Sequence, residues 1–225
     1  MGGVTAGRSA REQPAQGPPG ADVDLRSFPV RRVASGTVVF RAHRVDRGPW
    51  WFGSDGSGRF DLPPPRGTCY VAESAAVAVR ERIGVVLGTV RRVPAAALDT
   101  VVVSDLRVVE ALAVANLRAS RAAGFGVLNE LASLVPYDVP QTWAAALDAA
   151  RHDGVRYPAR FSTGRAGAIA IFGLAGGRPS WPVDSTPLPA ADVPGAPVVR
   201  PVPRLDELTV VRTPNRRARR PARPR

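Results

Sequence analysis

Apolar and polar residues form short blocks along the chain, and these blocks predict strands and helices in no regular order. The β-branched, glycine-bounded stretch GTVVFRAHRV predicts a strand at residues 36–45. Further strands are predicted in TCYVA, LDTVVVSDLRVV, GVRYPARF, GAIAIFGL and LDELTVV, at residues 68–72, 98–109, 154–161, 167–174 and 205–211. Because strands and helices mix without repeated β–α–β alternation, the pattern favours an α+β fold over a doubly wound parallel sheet.

One helix is predicted in ESAAVAVRERIG, at residues 73–84. Ser74 is placed to cap its first turn, because a serine oxygen accepts a hydrogen bond from a backbone N–H that the helix leaves free. Gly84 is expected just beyond its last residue, where glycine commonly ends a helix.

A second helix is predicted in YDVPQTWAAALDAARHDG, at residues 137–154. Asp138 stands three residues before Gln141, which is the spacing of a capping box with aspartate in the Ser/Thr role. Pro140 falls in the first turn, where a missing N–H costs nothing. The pattern therefore predicts a helix that is capped by Asp138.

Length and composition bound the organisation of the chain. It has 225 residues, 44% of them hydrophobic, which is enough for one domain with a sizeable core. We predict a disordered segment at residues 1–32, a folded domain at 33–211 and an arginine-rich disordered tail at 212–225. The N-terminal segment has no apolar run typical of a secretory signal, and Cys69 alone cannot form an intramolecular disulfide. The expected compartment is the cytoplasm.

The basic charge is concentrated in the tail. The formal net charge is +12, and residues 212–225 hold seven arginines and no acidic residue. Such a block is usually a solvated, disordered end, although it can also bind nucleic acid or an acidic partner. Two histidines and one cysteine are too few for an ordinary His/Cys zinc site. No phosphate loop, dinucleotide fingerprint, nucleophile elbow or HExxH motif occurs.

Four residues remain as candidates for chemistry, namely Arg41, Arg59, Tyr70 and Glu81. An arginine in the apolar strand VVFRAH is costly to bury unless it meets an anion; otherwise it faces water at a sheet edge. Glu81 lies on a helix beside apolar residues, so it is either a partly buried carboxylate or an ordinary exposed glutamate. Tyr70 ends a short strand, a position typical of a core tyrosine with a hydrated hydroxyl.

In order and spacing, these residues resemble the RES domain family. The matching motifs are FRAHR, GRFD, YVAESAAVAVRE and YDVPQTWAAALDAARHDGVRYP, in a region from about residue 38 to 159 that extends to about 211. The tyrosine followed eleven residues later by a glutamate is the most specific part. The resemblance implies an α+β fold with an ADP-ribosyltransferase-like core of small packed sheets, flanking helices and a cleft between the sheets.

The resemblance also implies a function. RES proteins are typically toxins of bacterial toxin–antitoxin pairs, and they deplete NAD by cleaving its nicotinamide–ribose bond with water or phosphate. NAD is then the substrate and phosphate a potential co-substrate, so no cofactor is expected. The implied partner is a helix-turn-helix antitoxin whose end plugs the active-site cleft. A homo-oligomer is compatible with this picture, nucleic acid would bind only through the tail, and no membrane is involved.

Residue by residue, the resemblance assigns catalytic roles to Arg41 and Glu81 and substrate-binding roles to Arg59, Tyr70 and Asp138. The two arginines would hold the pyrophosphate of NAD with permanently charged donors. Glu81 would face the ribose and offset positive charge that develops there, while Tyr70 would stack against the ring and orient it.

One position departs from the family pattern. Asp138 stands where relatives usually have Ser or Thr, and its charge would lie near an anionic substrate; a shifted register would place Thr142 there instead. Two alternatives to an NAD-consuming enzyme stay open. One is a RES-fold binding protein with altered catalysis, and the other is a nucleic-acid-associated protein that acts through its arginine tail.

Overall fold

A computed structural model describes residues 15–199 of the chain. Within this range the chain forms two α-helices, twelve strands and several short 3₁₀ turns, and the predicted α+β class is confirmed. The strand predicted at residues 205–211 and the tail at 212–225 lie outside the described residues. None of the helices between residues 15 and 199 is long and apolar enough to cross a membrane.

Five of the predicted strands are confirmed as β2, β4, β6, β8 and β9. The helices are α1 (Ala75–Leu87) and α2 (Asp138–Ala149). The strands are β1 (Val30–Val33), β2 (Val38–Arg44), β3 (Trp51–Phe52), β4 (Arg66–Ala72), β5 (Val93–Pro94), β6 (Val101–Arg107), β7 (Leu112–Asn116), β8 (Gly154–Pro158), β9 (Gly167–Leu174), β10 (Gly176–Gly177), β11 (Leu188–Pro189) and β12 (Val198–Val199).

The main strands form one eight-stranded sheet with the order β1-β7-β8-β9-β4-β2-β6-β11. Pairing is antiparallel except between β7 and β8. The two halves of the sheet meet between β4 and β2, where Phe40 and Ala72 are the single residue pair. Two further sheets of two strands each pair β10 with β3 and β12 with β5, and the eight-stranded sheet is nearly divided at the junction between β4 and β2. The division matters for function because it opens a gap between two central strands.

Apolar side chains cover both faces of the sheet. Along β4, Cys69 and Val71 join the core on one face, while Tyr70 and Ala72 belong to the core on the other, as the two-residue period of a strand requires. The first face is completed by Trp50, Phe52, Leu106 and Ile169. The second is covered by α2 through Trp143 and Leu147, and α1 packs through Val79 against Val101 and Val103.

Helix α1 begins as predicted and ends later. The Ser74 side chain accepts a hydrogen bond from the Val77 N–H, which confirms the predicted cap. The prediction that Gly84 follows the helix is wrong, since α1 continues to Leu87. Gly84 is buried inside the helix, where a Cβ would overlap the ring of Phe161. Glycine is needed here for close packing and not for a turn.

The capping box predicted for α2 is wrong. The helix begins at Asp138 itself, and the residue before it, Tyr137, makes no capping hydrogen bond with its side chain. The Gln141 side chain does not turn back to the helix start. Its Nε2 atom donates to the carbonyls of Gly56 and Gly58, at 2.9 Å each. The Gln141 amide therefore binds two backbone carbonyls of a neighbouring loop instead of the start of its own helix.

The prediction of disorder up to residue 32 is wrong for residues 15–32, which pack against the domain. Leu25 and Phe28 are buried in the main core, and β1 pairs with β7. The buried Gln16 side chain donates to the Gly126 carbonyl at 3.2 Å and accepts from the Leu128 N–H at 2.7 Å. The segment has a composition typical of disordered chains, but its buried apolar side chains and the hydrogen bonds of Gln16 hold it against the domain.

Candidate active site

A cavity of about 380 Å³ lies at the junction between β2 and β4, within the size range of ligand-binding pockets. Its walls come from both strands, from α1, and from the loops before β4 and after β8. Four of the five predicted site residues line it, namely Arg41, Arg59, Tyr70 and Glu81. Residues separated by up to forty positions in sequence thus meet because the sheet is nearly divided at this point.

Arg41 lies in the middle of β2 and is held by its Nη1 atom. This atom donates to the carbonyls of Pro49 and Trp51, at 2.9 and 2.7 Å, and lies 2.8 Å from the Sγ of Cys69. The remaining guanidinium nitrogens make no hydrogen bond to any described residue. The side chain is thus fixed at one nitrogen and keeps donors available to a ligand in the cavity.

Arg59 is the more deeply buried arginine, with 8% of its surface exposed. Its Nε atom is buried and has no hydrogen-bond partner among residues 15–199. The guanidinium lies over the ring of Tyr137, 5.1 Å from the ring centre, as in a cation–π contact. Burial lowers the pKa of Arg59 from its ordinary value, because desolvation disfavours the cation; the charge of Glu81 opposes this shift only in part.

Tyr70 lines the cavity, yet its hydroxyl is already engaged. It accepts a hydrogen bond from the Phe60 N–H and donates one to Oδ1 of Asp61, both at 2.8 Å. Burial is the main cause that raises the pKa of Tyr70 well above its ordinary value, and the neighbouring Asp61 adds to it. The phenol is therefore a neutral part of the wall, and only its ring is free to contact a ligand.

Glu81 projects from α1 into the same cavity and is half-buried. Its Oε1 atom accepts a hydrogen bond of 2.8 Å from the Phe161 N–H. Burial raises the pKa of Glu81, and this effect is opposed by that hydrogen bond and by the charges of Arg59 and Arg160. The exposed-glutamate alternative is thus excluded, and the carboxylate faces the cavity near the buried arginine.

Asp138 does not line the cavity. It is exposed at the first turn of α2, and the Thr142 hydroxyl donates back to the Asp138 carbonyl at 2.9 Å. The aromatic neighbour Tyr137 lines the cavity instead. The substrate-binding role expected for Asp138 therefore lacks a geometric basis, since the helix start directs the preceding residue into the site.

The comparisons with known proteins place the chain in a family. The family model for the RES domain matches residues 38–190. The chain belongs to the RES domain family. In fold, this RES domain is similar to a chain in the crystal structure of the M. tuberculosis MbcT–MbcA toxin–antitoxin complex. The TM-score is 0.53 at 19% sequence identity, over 71% of this chain and 88% of that chain. No curated protein matches the sequence.

Guanidinium groups dominate the charge in the cavity of this RES domain. Four arginines line it together with three acidic residues: Arg41, Arg47, Arg59 and Arg82, with Asp55, Asp61 and Glu81. In the part of the chain that the structure describes, none of these seven forms an ion pair. The same part contains no cluster of three or more His, Cys, Asp or Glu residues placed to hold a metal ion. The donors that Arg41 and Arg59 keep free could therefore bind an anion.

Several cavity residues were not singled out from the sequence. Asp61, Tyr137, Tyr157 and Phe161 line the cavity, and Gln141 supports its wall. The first three occur inside GRFD and YDVPQTWAAALDAARHDGVRYP, two of the motifs that carry the family resemblance. The motifs therefore indicated which segments form the site, but only the fold determines which residue of each motif points into the cavity.

Proposed function

We propose that this RES domain is an NAD-consuming enzyme that cleaves the nicotinamide–ribose bond, and that it acts as a toxin of a toxin–antitoxin pair. The observation that carries the proposal is the convergence of Arg41, Arg59 and Glu81 on one cavity at the divided sheet. Two cationic groups and one carboxylate match the two chemical needs of NAD, which are a bound pyrophosphate and a stabilised ribose cation.

The arginines are suited to the pyrophosphate. Arg41 keeps donors free beyond its held Nη1 atom, and Arg59 is buried without an acidic partner among the described residues. A pyrophosphate carries two negative charges and several acceptor oxygens, so it would satisfy both guanidiniums. Ligand binding would then compensate a charge that Glu81 balances only in part.

The carboxylate of Glu81 is suited to the reacting sugar. Nicotinamide leaves NAD as a neutral molecule, so cleavage needs no general acid. The ribose instead gains positive charge as the bond breaks, as in glycoside hydrolysis. An ionised Glu81 that faces the cavity would stabilise this charge and hydrogen-bond the ribose hydroxyls. The aromatic rings of Tyr70 and Tyr137 in the wall offer flat surfaces for the bases.

The acceptor can be water or inorganic phosphate. With water, the C–N bond breaks, a C–O bond forms, and the products are ADP-ribose, nicotinamide and a proton. With phosphate, the products are nicotinamide and ADP-ribose phosphorylated at the anomeric carbon. The cationic lining of the cavity would help to bind phosphate as well as the substrate.

A toxin would be controlled by a partner. The solved structure with a similar fold is titled as a toxin–antitoxin complex, and the family resemblance implies a helix-turn-helix antitoxin. We therefore propose that such an antitoxin is the partner of this chain. Co-expression with the neighbouring reading frame should relieve growth arrest that the chain causes when expressed alone.

The test of the enzymatic function is product analysis. Purified protein is incubated with NAD, with and without inorganic phosphate, and products are separated and identified by mass. We expect nicotinamide with either ADP-ribose or its phosphorylated form. Arg41→Met and Arg59→Met should each lower kcat/KM by about tenfold or more, because one charged contact to phosphate is lost. The matched control is Arg121→Met, which changes an exposed arginine. Tight binding of NAD without any product would reject the enzyme and leave a binding protein.

A further inference from the structure

Three consecutive aromatic residues, Trp50, Trp51 and Phe52, occur at strand β3. Trp50 and Phe52 are 2% and 1% exposed and belong to the core on one face of the sheet. Trp51 stands between them, is 42% exposed and lines the cavity. Because successive side chains of a strand point to opposite faces, its indole ring projects away from that core.

The other aromatic rings in the cavity wall are less accessible to a ligand. Trp51 is the exposed one among the aromatic residues between 15 and 199 that line the cavity. The Arg59 guanidinium covers one face of Tyr137, at 5.1 Å from the ring centre, and the ring of Phe161 packs against α1 at Gly84. In this part of the chain, the open aromatic surface of the site is therefore the ring of Trp51.

The backbone of Trp51 contacts two residues that matter for the site. Trp51 pairs with Gly177 of β10, and a Cβ on that glycine would lie 3.6 Å from Cε3 of the indole. Because Gly177 has no side chain, this neighbour leaves the ring uncovered. The Trp51 carbonyl accepts a hydrogen bond of 2.7 Å from Nη1 of Arg41. One residue thus anchors an arginine of the site through its backbone and also presents an aromatic ring.

The two arginines proposed to bind the pyrophosphate have different neighbours. Burial raises the pKa of Glu81, and the charges of Arg59 and Arg160 oppose this shift, so Arg59 lies within electrostatic reach of the carboxylate that is proposed to face the reacting ribose. Arg41 is bonded instead to the backbone of Trp51. A dinucleotide carries one base on each side of its pyrophosphate. If Arg59 serves the reacting side, Arg41 and Trp51 are left for the adenosine side.

We propose that Trp51 determines specificity for the adenine end of the substrate: its ring stacks on the adenine, next to the phosphate held by Arg41. The inference rests on the proposed function in naming the ligand as a dinucleotide. An indole offers a wide aromatic face, and a purine stacks on such a face without needing hydrogen bonds to its edges. The rings of Tyr70 and Tyr137 in the wall then remain for the nicotinamide.

Two probes and two variants test this assignment. ADP-ribose contains the adenine and no nicotinamide, whereas inorganic pyrophosphate contains neither base. Binding of each is measured by calorimetry, and circular dichroism checks folding. Trp51→Leu, which keeps an apolar side chain without an aromatic ring, should weaken ADP-ribose binding by about tenfold and leave pyrophosphate binding within about twofold. Trp51→Phe should weaken ADP-ribose binding by no more than about threefold, because a ring is retained.

Both variants keep the backbone carbonyl that Arg41 binds, so they change the ring and not the anchor. The matched control is Leu128→Ala, which changes an apolar residue of similar exposure, 44%, that does not line the cavity; it should bind both probes as the wild type does. Tryptophan fluorescence adds a direct readout. ADP-ribose should quench part of the wild-type emission by stacking on the exposed indole, and this quenching should be absent in Trp51→Phe although calorimetry still detects binding.

Three results would overturn the inference. Equal weakening of both probes by Trp51→Leu would show that the residue acts through Arg41 or through the fold. Unchanged ADP-ribose binding would show that the ring meets the nicotinamide or no ligand at all. Wild-type protein that fails to bind ADP-ribose would leave the ring without an adenine to stack on. If Trp51→Leu does not fold, the loss or persistence of quenching in Trp51→Phe decides.

Kinetics separate this inference from the proposed function. If the wild type cleaves NAD, Trp51→Leu should raise KM about tenfold with little change in kcat, because the adenine lies away from the bond that breaks. An unchanged KM rejects the inference and leaves the enzyme intact. Conversely, the expected binding results with no NAD cleavage reject the enzyme and leave the adenine-binding role of Trp51 standing.

Discussion

The carboxylate of Glu81 accepts a hydrogen bond of 2.8 Å from the backbone N–H of Phe161, a residue that follows it by 80 positions. The carbonyl of Phe161 in turn accepts from Nε of Arg80, also at 2.8 Å. Two adjacent side chains of α1 thus bind both sides of one residue in the loop after β8. The loop orients the carboxylate, and its aromatic ring closes over the helix at Gly84.

Gly84→Ala should loosen the contact between helix α1 and the ring of Phe161. The added methyl group would overlap the ring of Phe161, so the loop must move away from α1. Alanine would otherwise favour the helix by about 1 kcal/mol, but overpacking of this kind costs about 1–3 kcal/mol. We expect a lower melting temperature and a lower kcat for NAD cleavage, measured by calorimetry and by nicotinamide release.

The second variant, Gly84→Ala with Phe161→Ala, separates packing from helix propensity. Removing the ring relieves the overlap, so the added alanine should now raise the melting temperature relative to Phe161→Ala alone. If Gly84→Ala destabilises both backgrounds equally, the contact between the ring and the helix is not the cause.

The pH dependence follows from the raised pKa of Glu81. Burial raises this pKa, so the folded state binds the proton more tightly than the unfolded chain. Stability should therefore fall as pH rises from the ordinary glutamate pKa of about 4.3 through the raised value. Glu81→Gln should remove that part of the decline. Asp61 also has a pKa raised by burial, so the difference between wild type and Glu81→Gln is the quantity to measure.

Activity should depend on pH in the opposite sense. The proposed role needs the ionised form of Glu81, so kcat/KM should fall as the pH drops through its raised pKa. A profile of kcat/KM across the acidic range checks this. An inflection at or below the ordinary glutamate pKa would contradict the role of a half-buried carboxylate.

Arg59→Met should stabilise the protein while it lowers the activity. Arg59 is buried, and its Nε has no partner among the described residues, so the apo protein carries the cost of a desolvated charge. Methionine has a similar length without that charge, and we expect a gain of about 1 kcal/mol in the free energy of unfolding. Chemical denaturation measures it. Arg121→Met, at an exposed position, should change stability by less than about 0.5 kcal/mol.

Pattern reasoning performed best where local chemistry determines structure. The strand containing Arg41 and the Ser74 cap were both correct, because β-branched runs and caps depend on neighbours in sequence. Strands β1 and β7 were missed, although they pair with each other. Each is short, and β1 lies in a segment whose composition resembles that of a disordered chain. Their stability comes from partners that are distant in sequence.

The candidate site was predictable only in part, because motif order identifies residues but not the direction in which their side chains point. The motif order suggested Arg41, Arg59, Tyr70 and Glu81, and the structure brings these four to one cavity. Asp138 was expected there because it stands where the family pattern usually has Ser or Thr at the start of a helix. The first turn of α2 is placed by the bonds from Gln141 to the neighbouring loop. A tertiary contact thus decides that Tyr137, and not Asp138, faces inward.

The central claim is that Glu81 serves cleavage of the nicotinamide–ribose bond. The most direct measurement is nicotinamide release from NAD by wild-type protein, Glu81→Gln and the exposed control Glu110→Gln, each with and without phosphate. Glutamine keeps an acceptor for the Phe161 N–H, so folding should be preserved while release falls by about a hundredfold or more; Glu110→Gln should match wild type. Absence of release by the wild type under both conditions, or release that Glu81→Gln leaves unchanged, would contradict the claim.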